Sequence, residues 1–230
     1  MKESAGTYSK TQAHELLLDF KKILQRMTGF LDSHFHEIQP DSLINEFLEE
    51  FETLIPRLPY IGGRSNLNNL DLIQSSWALA IYRVLHRRGK TLEEVGDFIY
   101  ESREALILTF PRVLIRFYSW YRFTSFFKNK WRRFALETQK REHPDNFVIT
   151  FVEGYSKEFD YGYDYSECAI LKFFETQGAS ELLPYICATD IPVSKALNMG
   201  LKRTTTLALG GEKCDFRFKR GRETDENWPL

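Results

Sequence analysis

The chain has 230 residues, 43% hydrophobic and 27% charged, with a formal net charge of -1. That length buries a sizeable core without disulfide or metal staples, and the composition is that of an ordinary globular protein. Near-neutral charge argues against a dedicated nucleic-acid binder, and no uncharged apolar run approaches the roughly 20 residues of a membrane span.

The opening residues, MKESAGTYSKTQAHE, contain no apolar h-region, so no signal peptide is expected. Three cysteines, an odd number, make no disulfide framework and are expected as reduced thiols in a cytoplasmic protein. Residues 1–12 are polar and expected to be loose. From residue 13 the pattern becomes helical, with Leu16, Phe20, Ile23, Met27 and Leu31 at spacings of three and four. A second helix is expected over 42–55, with Leu43, Phe47, Phe51 and Leu54 on one face and Pro56 and Pro59 ending it. YIGGRSNLNN at 60–69 is loop chemistry. A third helix is expected over 70–87, with Gly89 at its C-terminal cap. Thr91 and Glu94 form a capping box that starts a fourth. Residues 105–141 are aromatic and basic, and predict one long helix or two, with Pro111 near a start or a kink.

REHPDN at 141–146 is the best boundary in the chain. Beyond it, 147–151 and 157–163 read as strands, 167–177 and 180–187 as helices, and 191–199 as a shorter helix with Pro192 in its first turn. Residues 202–209 and 213–219 are expected to pair as a hairpin across Gly210-Gly211. The organisation expected is a flexible N-terminus (1–12), a helical part (13–141), a mixed part (147–220) that forms one compact unit with it, and a flexible tail (221–230). The fold class is α+β: an N-terminal helical part followed by an antiparallel four-stranded sheet with helices packed on one face.

The mixed part carries three distinctive words: YDYSEC at 163–168, GASELLPYICATD at 178–190 and RTTTLALGGEKCDFRF at 203–218. In order and spacing they resemble the C-terminal signature of the L-2-amino-thiazoline-4-carboxylic acid hydrolase family. LPYIGG at 58–63 and the helix holding Trp77, Tyr82 and Gly89 are similar to that family less specifically. The resemblance spans about residues 40–220 and implies a hydrolase that opens a thiazoline-like ring, or a related C–N or C–S bond, of a small amino-acid-derived substrate. A weaker likeness to ligand-binding domains of the vinyl-reductase type implies the alternative, a non-catalytic binding or sensing domain.

Ring opening needs a nucleophile or an activated water, an acid for the departing atom, and an anchor for the substrate carboxylate. Cys168, Cys187 and Cys214 lie on three different expected elements, so the fold is able to gather them. Free cysteines also often merely pack. Asp190 follows Cys187 by three residues and shares its face on a helical turn; it suits a general base or the N-cap of the next helix. Cys187 and Asp190 are the expected reactive pair, with Cys168 and Cys214 nearby. Arg203 and Thr205 are the expected substrate-binding residues, Arg203 through a bidentate fork. Asp215, next to Cys214 in an alternating strand, is expected on the opposite face, and Phe216 on the same one.

No cofactor is expected. Zinc held by the cysteines and the aspartate is the soft-metal alternative, although no compact C-x-x-C pair exists. The partners expected are a small-molecule substrate and a homo-oligomer, with no nucleic acid and no membrane insertion. The segment 112–133 interleaves Arg112, Arg116, Arg122, Lys128, Lys130, Arg132 and Arg133 with aromatic residues. It suits a membrane-surface or acidic-partner helix, a core helix with snorkelling arginines, or a roof over the ligand pocket. Near-neutral net charge favours the core helix.

Overall fold

The computed structural model describes residues 8–155 and 157–226. The loose termini expected at 1–12 and 221–230 therefore lie partly outside the described residues. The first helix, α1 (Lys10–Arg26), begins earlier than the periodicity indicates. Its signal is a capping box that the sequence reading passed over: Ser9 accepts from the Gln12 N–H while the Gln12 side chain accepts from the Ser9 N–H. At the other end, 221–226 are tied down. Thr224 Oγ1 lies 2.8 Å from the buried Ser194 hydroxyl, and the Asp225 N–H donates to the Leu201 carbonyl.

A break at Met27 separates α1 from α2 (Thr28–His34). Pro40, whose missing N–H costs nothing in a first turn, opens α3 (Pro40–Leu54). Leu43, Phe47, Phe51 and Leu54 are completely buried, as their spacing requires. One tight turn over Ile55–Arg57 ends this run. Helix α4 (Asn69–Arg87) is the centre of the helical part and buries residues on most of its circumference. Gly89, at φ 85°, follows it in the left-handed conformation that a C-terminal cap requires. The Thr91–Glu94 capping box then starts α5 (Leu92–Leu108).

The basic aromatic segment divides into two helices of different character. Helix α6 (Arg112–Tyr121) buries no residue, whereas α7 (Ser125–Thr138) buries Phe127, Trp131, Ala135 and Thr138. The core-helix reading holds for α7 and fails for α6. The Thr124 hydroxyl accepts from the Phe127 N–H and so caps α7.

The mixed part contains β1 (Val148–Glu153), β2 (Tyr161–Glu167), α8 (Ala169–Thr176), α9 (Leu183–Ala188), α10 (Asp190–Ala196), β3 (Leu201–Lys202) and β4 (Cys214–Phe218). The sheet runs β1-β2-β4-β3, with each neighbour antiparallel. Two expected strands are displaced. The second strand lies at Tyr161–Glu167 and not at 157–163. Its alternation puts Tyr161, Tyr163 and Tyr165 on one face, where they meet Phe151, Phe216, Phe218 and Trp131. The expected 202–209 strand is reduced to two residues, because Arg203 leaves the sheet to meet Asp190. No tight hairpin forms at Gly210-Gly211. A short helical turn over Leu207–Leu209 ends there instead, with Gly210 at φ 81°.

The two sheet faces differ in chemistry. The inner face carries the aromatic ladder and joins the main core. The outer face sets Asp164 directly opposite Asp215, a repulsive pair in isolation. Lys213 and Arg217 neutralise Asp164 at 2.6 and 2.8 Å, and Thr204 and Thr205 donate to Asp215. Helix α7 covers β1, and α5 packs on α9 and α10. The approach of α5 to α9 needs Gly96, since a Cβ there would stand 2.0 Å from the Tyr185 ring.

Candidate functional site

A cavity of about 260 Å³ lies between the inner face of the sheet and the helices α4, α5, α8, α9 and α10. Five of the six residues expected at a site meet there: Cys168, Cys187, Asp190, Arg203 and Cys214 line it. Thr205 does not. Its N–H donates to Asp215, and its hydroxyl sits against Gly211, so it belongs to the loop outside the cavity. The alternation of β4 is as expected: Cys214, Phe216 and Phe218 face the cavity, while Asp215 turns away.

Asp190 is the first residue of α10, and Thr189 precedes it as the cap, so Asp190 does not serve as an N-cap. Its carboxylate instead accepts from Arg203 Nη1 at 2.7 Å. Arg203 Nη2 donates to the Cys187 carbonyl at 2.8 Å, and the guanidinium lies over the Phe216 ring. Arg203 thus clamps the end of α9 to the start of α10 and aims Asp190. Asp190 stays accessible through the cavity with protein on its other sides. Burial pushes its carboxyl up, against the lowering effect of Arg203.

The three thiols are arranged differently. Cys168 caps α8, its sulfur accepting from the Leu171 N–H at 3.5 Å. Cys214 accepts from the Leu207 N–H at 3.3 Å. Cys187 faces Arg203 and Asp190. Burial raises all three, Cys168 to about 12, so the neutral thiol dominates at every site near neutral pH.

Other cavity residues escaped the sequence reading. Asp71 in the first turn of α4 accepts from Asn68 Nδ2 at 2.8 Å, and burial lifts it to about 6. Asn68 also donates to the Tyr165 hydroxyl, which ties α4 to the sheet. Arg103 on α5 donates to Gln74 Oε1 at 2.7 Å and faces the field of Asp71 and Asp190. Arg122, directly after α6, lies over Phe127 and Phe218, and its Nε has no hydrogen-bond partner. The Tyr163 hydroxyl and Asn68 Oδ1 are likewise buried without partners. Arg103 carried a readable signal: it shares a helix face with Ile99 and Leu106, where a cation is out of place unless it faces a polar cavity. The cavity therefore sets three arginines against two carboxylates and suits a small anion with an apolar body. Among the described residues no group of three or more His, Cys, Asp or Glu is placed to hold a metal ion, and no helix is long and apolar enough to cross a membrane.

The family model for L-2-amino-thiazoline-4-carboxylic acid hydrolase matches residues 73–218, which includes all of the cavity lining except Asn68 and Asp71. No curated protein and no solved structure matches the chain.

Proposed function

The chain belongs to the L-2-amino-thiazoline-4-carboxylic acid hydrolase family, and from this premise we propose that the cavity hydrolyses a small cyclic amidine bearing a carboxylate, of the 2-aminothiazoline-4-carboxylate type. The observation that carries this reading is the Arg203-held Asp190 carboxylate, set among three thiols with Arg103 and Arg122 in the same cavity. A carboxyl that burial raises above its ordinary value is a stronger base than a surface aspartate.

In the proposed reaction Asp190 takes a proton from water as the oxygen bonds to the carbon between ring sulfur and nitrogen. The C–S bond then breaks, and the sulfur leaves as a thiol after receiving a proton. The product is an N-carbamoyl amino acid with a free thiol, the sum of substrate and one water. Cys187 is the neighbouring group for a covalent route. Its proton passes to Asp190 as its sulfur bonds to the same carbon, and the ring C–S bond breaks with that proton going to the departing sulfur. Water then hydrolyses the enzyme-bound isothiourea to the same product and frees the thiol. Cys168 and Cys214 complete the thiol-lined wall. Arg203, expected as the anchor, acts here as the positioning residue for Asp190, and the substrate carboxylate falls to Arg103 and Arg122.

The test is incubation of the purified protein with L-2-amino-thiazoline-4-carboxylic acid and detection of the carbamoyl product by mass spectrometry. Turnover abolished by Asp190→Asn supports the base. Turnover retained by Cys187→Ala selects the water route, and its loss with the fold intact selects the covalent one. Turnover unaffected by Asp190→Asn would sink the assignment. Tight binding of the compound without turnover would favour the non-catalytic binding domain.

A further inference from the structure

Among the described residues, helix α6 leaves an amphipathic face without a protein partner. Val113 is 70% exposed, Phe117 59% and Trp120 50%. Ring contacts join Phe117 to Trp120 and Tyr121, and Tyr121 to Phe126, so the aromatic groups form one continuous patch. Phe126 is itself 70% exposed. Within α6 only Ile115, Ser119 and Tyr121 turn part of their surface inward. Exposed apolar patches of this extent mark a surface that is covered in use.

The charges around the patch indicate what covers it. From Ala105 to Arg133 the chain has seven cations and not one carboxylate. Arg112 and Arg116 are exposed on the helix that carries the patch and have no ion-pair partner among the described residues. At 100° per residue, the two arginines flank one edge of the arc formed by Trp120, Val113, Phe117 and Leu114. Lys128, Lys130 and Arg133 add charge on the next helix, likewise without an ion-pair partner among the described residues. A contact between two copies of this face would bring together cations of both with no carboxylate from either segment to pair with them. An apolar, Trp- and Phe-bearing face with a basic rim is instead complementary to an anionic lipid surface.

We propose that α6 docks this protein on anionic bilayers, with Val113, Phe117, Trp120 and Phe126 in the interface and Arg112 and Arg116 against lipid headgroups. The association is peripheral. A helix of ten residues spans about 15 Å and lies along the surface. Because Arg122 follows α6 directly and lines the cavity, docking sets that cavity wall behind the lipid surface.

The full-length protein is sedimented with vesicles of phosphatidylcholine, with and without phosphatidylglycerol, at low salt and at about 0.5 M salt. Binding is expected to the phosphatidylglycerol vesicles alone and to fall with salt. Each basic residue near the surface contributes about five-fold, so Arg112→Gln with Arg116→Gln weakens binding on the order of 25-fold. Phe117→Ser with Trp120→Ser abolishes it. These residues are exposed, so circular dichroism is expected to show an unchanged fold, and the salt dependence of the wild type needs no variant at all. No sedimentation with phosphatidylglycerol vesicles overturns the proposal. So does a dimer in sedimentation equilibrium that Phe117→Ser dissociates, which would assign the face to a second copy. Capture of a soluble acidic protein in place of lipid would overturn it equally.

Discussion

Replacing Arg203 by Met removes the clamp between α9 and α10 while keeping most of the buried stem. Two hydrogen bonds from a charged donor disappear, to Asp190 at 2.7 Å and to the Cys187 carbonyl at 2.8 Å. Such bonds contribute about 1.5–3 kcal/mol each, and the stacking on Phe216 about 1 more. The Arg203 side chain is 3% exposed, but that of Asp190 is 44% exposed into the cavity. Water in the cavity therefore re-solvates much of the abandoned carboxylate, and the net loss is about 2–4 kcal/mol at pH 7. Urea unfolding measures it. The loss also has a pH signature. Burial already raises the folded pKa of Asp190, and without Arg203 it rises further. A carboxyl raised on folding contributes stability that is fully present below its unfolded pKa, about 3.9, and lost as pH rises through the folded value. The deficit of the variant is therefore smaller at pH 4 than at pH 7, and Asp190→Asn in the same background removes that difference. A deficit under about 1 kcal/mol, or one equal at both pH values, would refute this account of the clamp.

Three further outcomes follow from the same geometry. Asp71, lifted to about 6, favours the native state when protonated, so Asp71→Asn is expected to raise the urea midpoint at pH 8 and leave it unchanged at pH 4. The gain is about 1 kcal/mol, because Asp71 is open to the cavity and partly screened; a variant no more stable at pH 8 contradicts it. Gly96→Ala improves helix propensity by up to about 1 kcal/mol, but the new methyl meets the Tyr185 ring at 2.0 Å. Overpacking of about 1–3 kcal/mol then dominates; a thermal midpoint equal to or above that of the wild type would show that α5 and α9 are not in such close contact. Finally, iodoacetamide at pH 8 is expected to modify the three thiols more than about 100-fold more slowly in the folded protein than in urea. Rapid labelling of any one of them would show an activated thiolate where burial leaves a neutral thiol.

Features that depend only on neighbours along the chain were legible before any fold was known. The faces of α1, α3 and α4, the Thr91–Glu94 capping box, the glycine at position 89 and the alternation of Cys214, Asp215 and Phe216 all follow from periods and caps that operate within a few residues. The motif words and the chemistry of their residues likewise pointed to Cys168, Cys187, Asp190, Cys214 and Arg203, which the structure brings together. Tertiary structure decided the rest, because burial depends on what packs opposite. Strand β2 took the register that buries Tyr161 and Tyr163 and packs the half-buried Tyr165 against the core. Arg203 left the sheet for a carboxylate on another helix, which shortened β3 and displaced the expected hairpin. Asp71, Arg103 and Arg122 joined the site from three different helical segments. In the basic aromatic segment composition is uniform, and only the position of the sheet determined that α7 is covered while α6 faces outward.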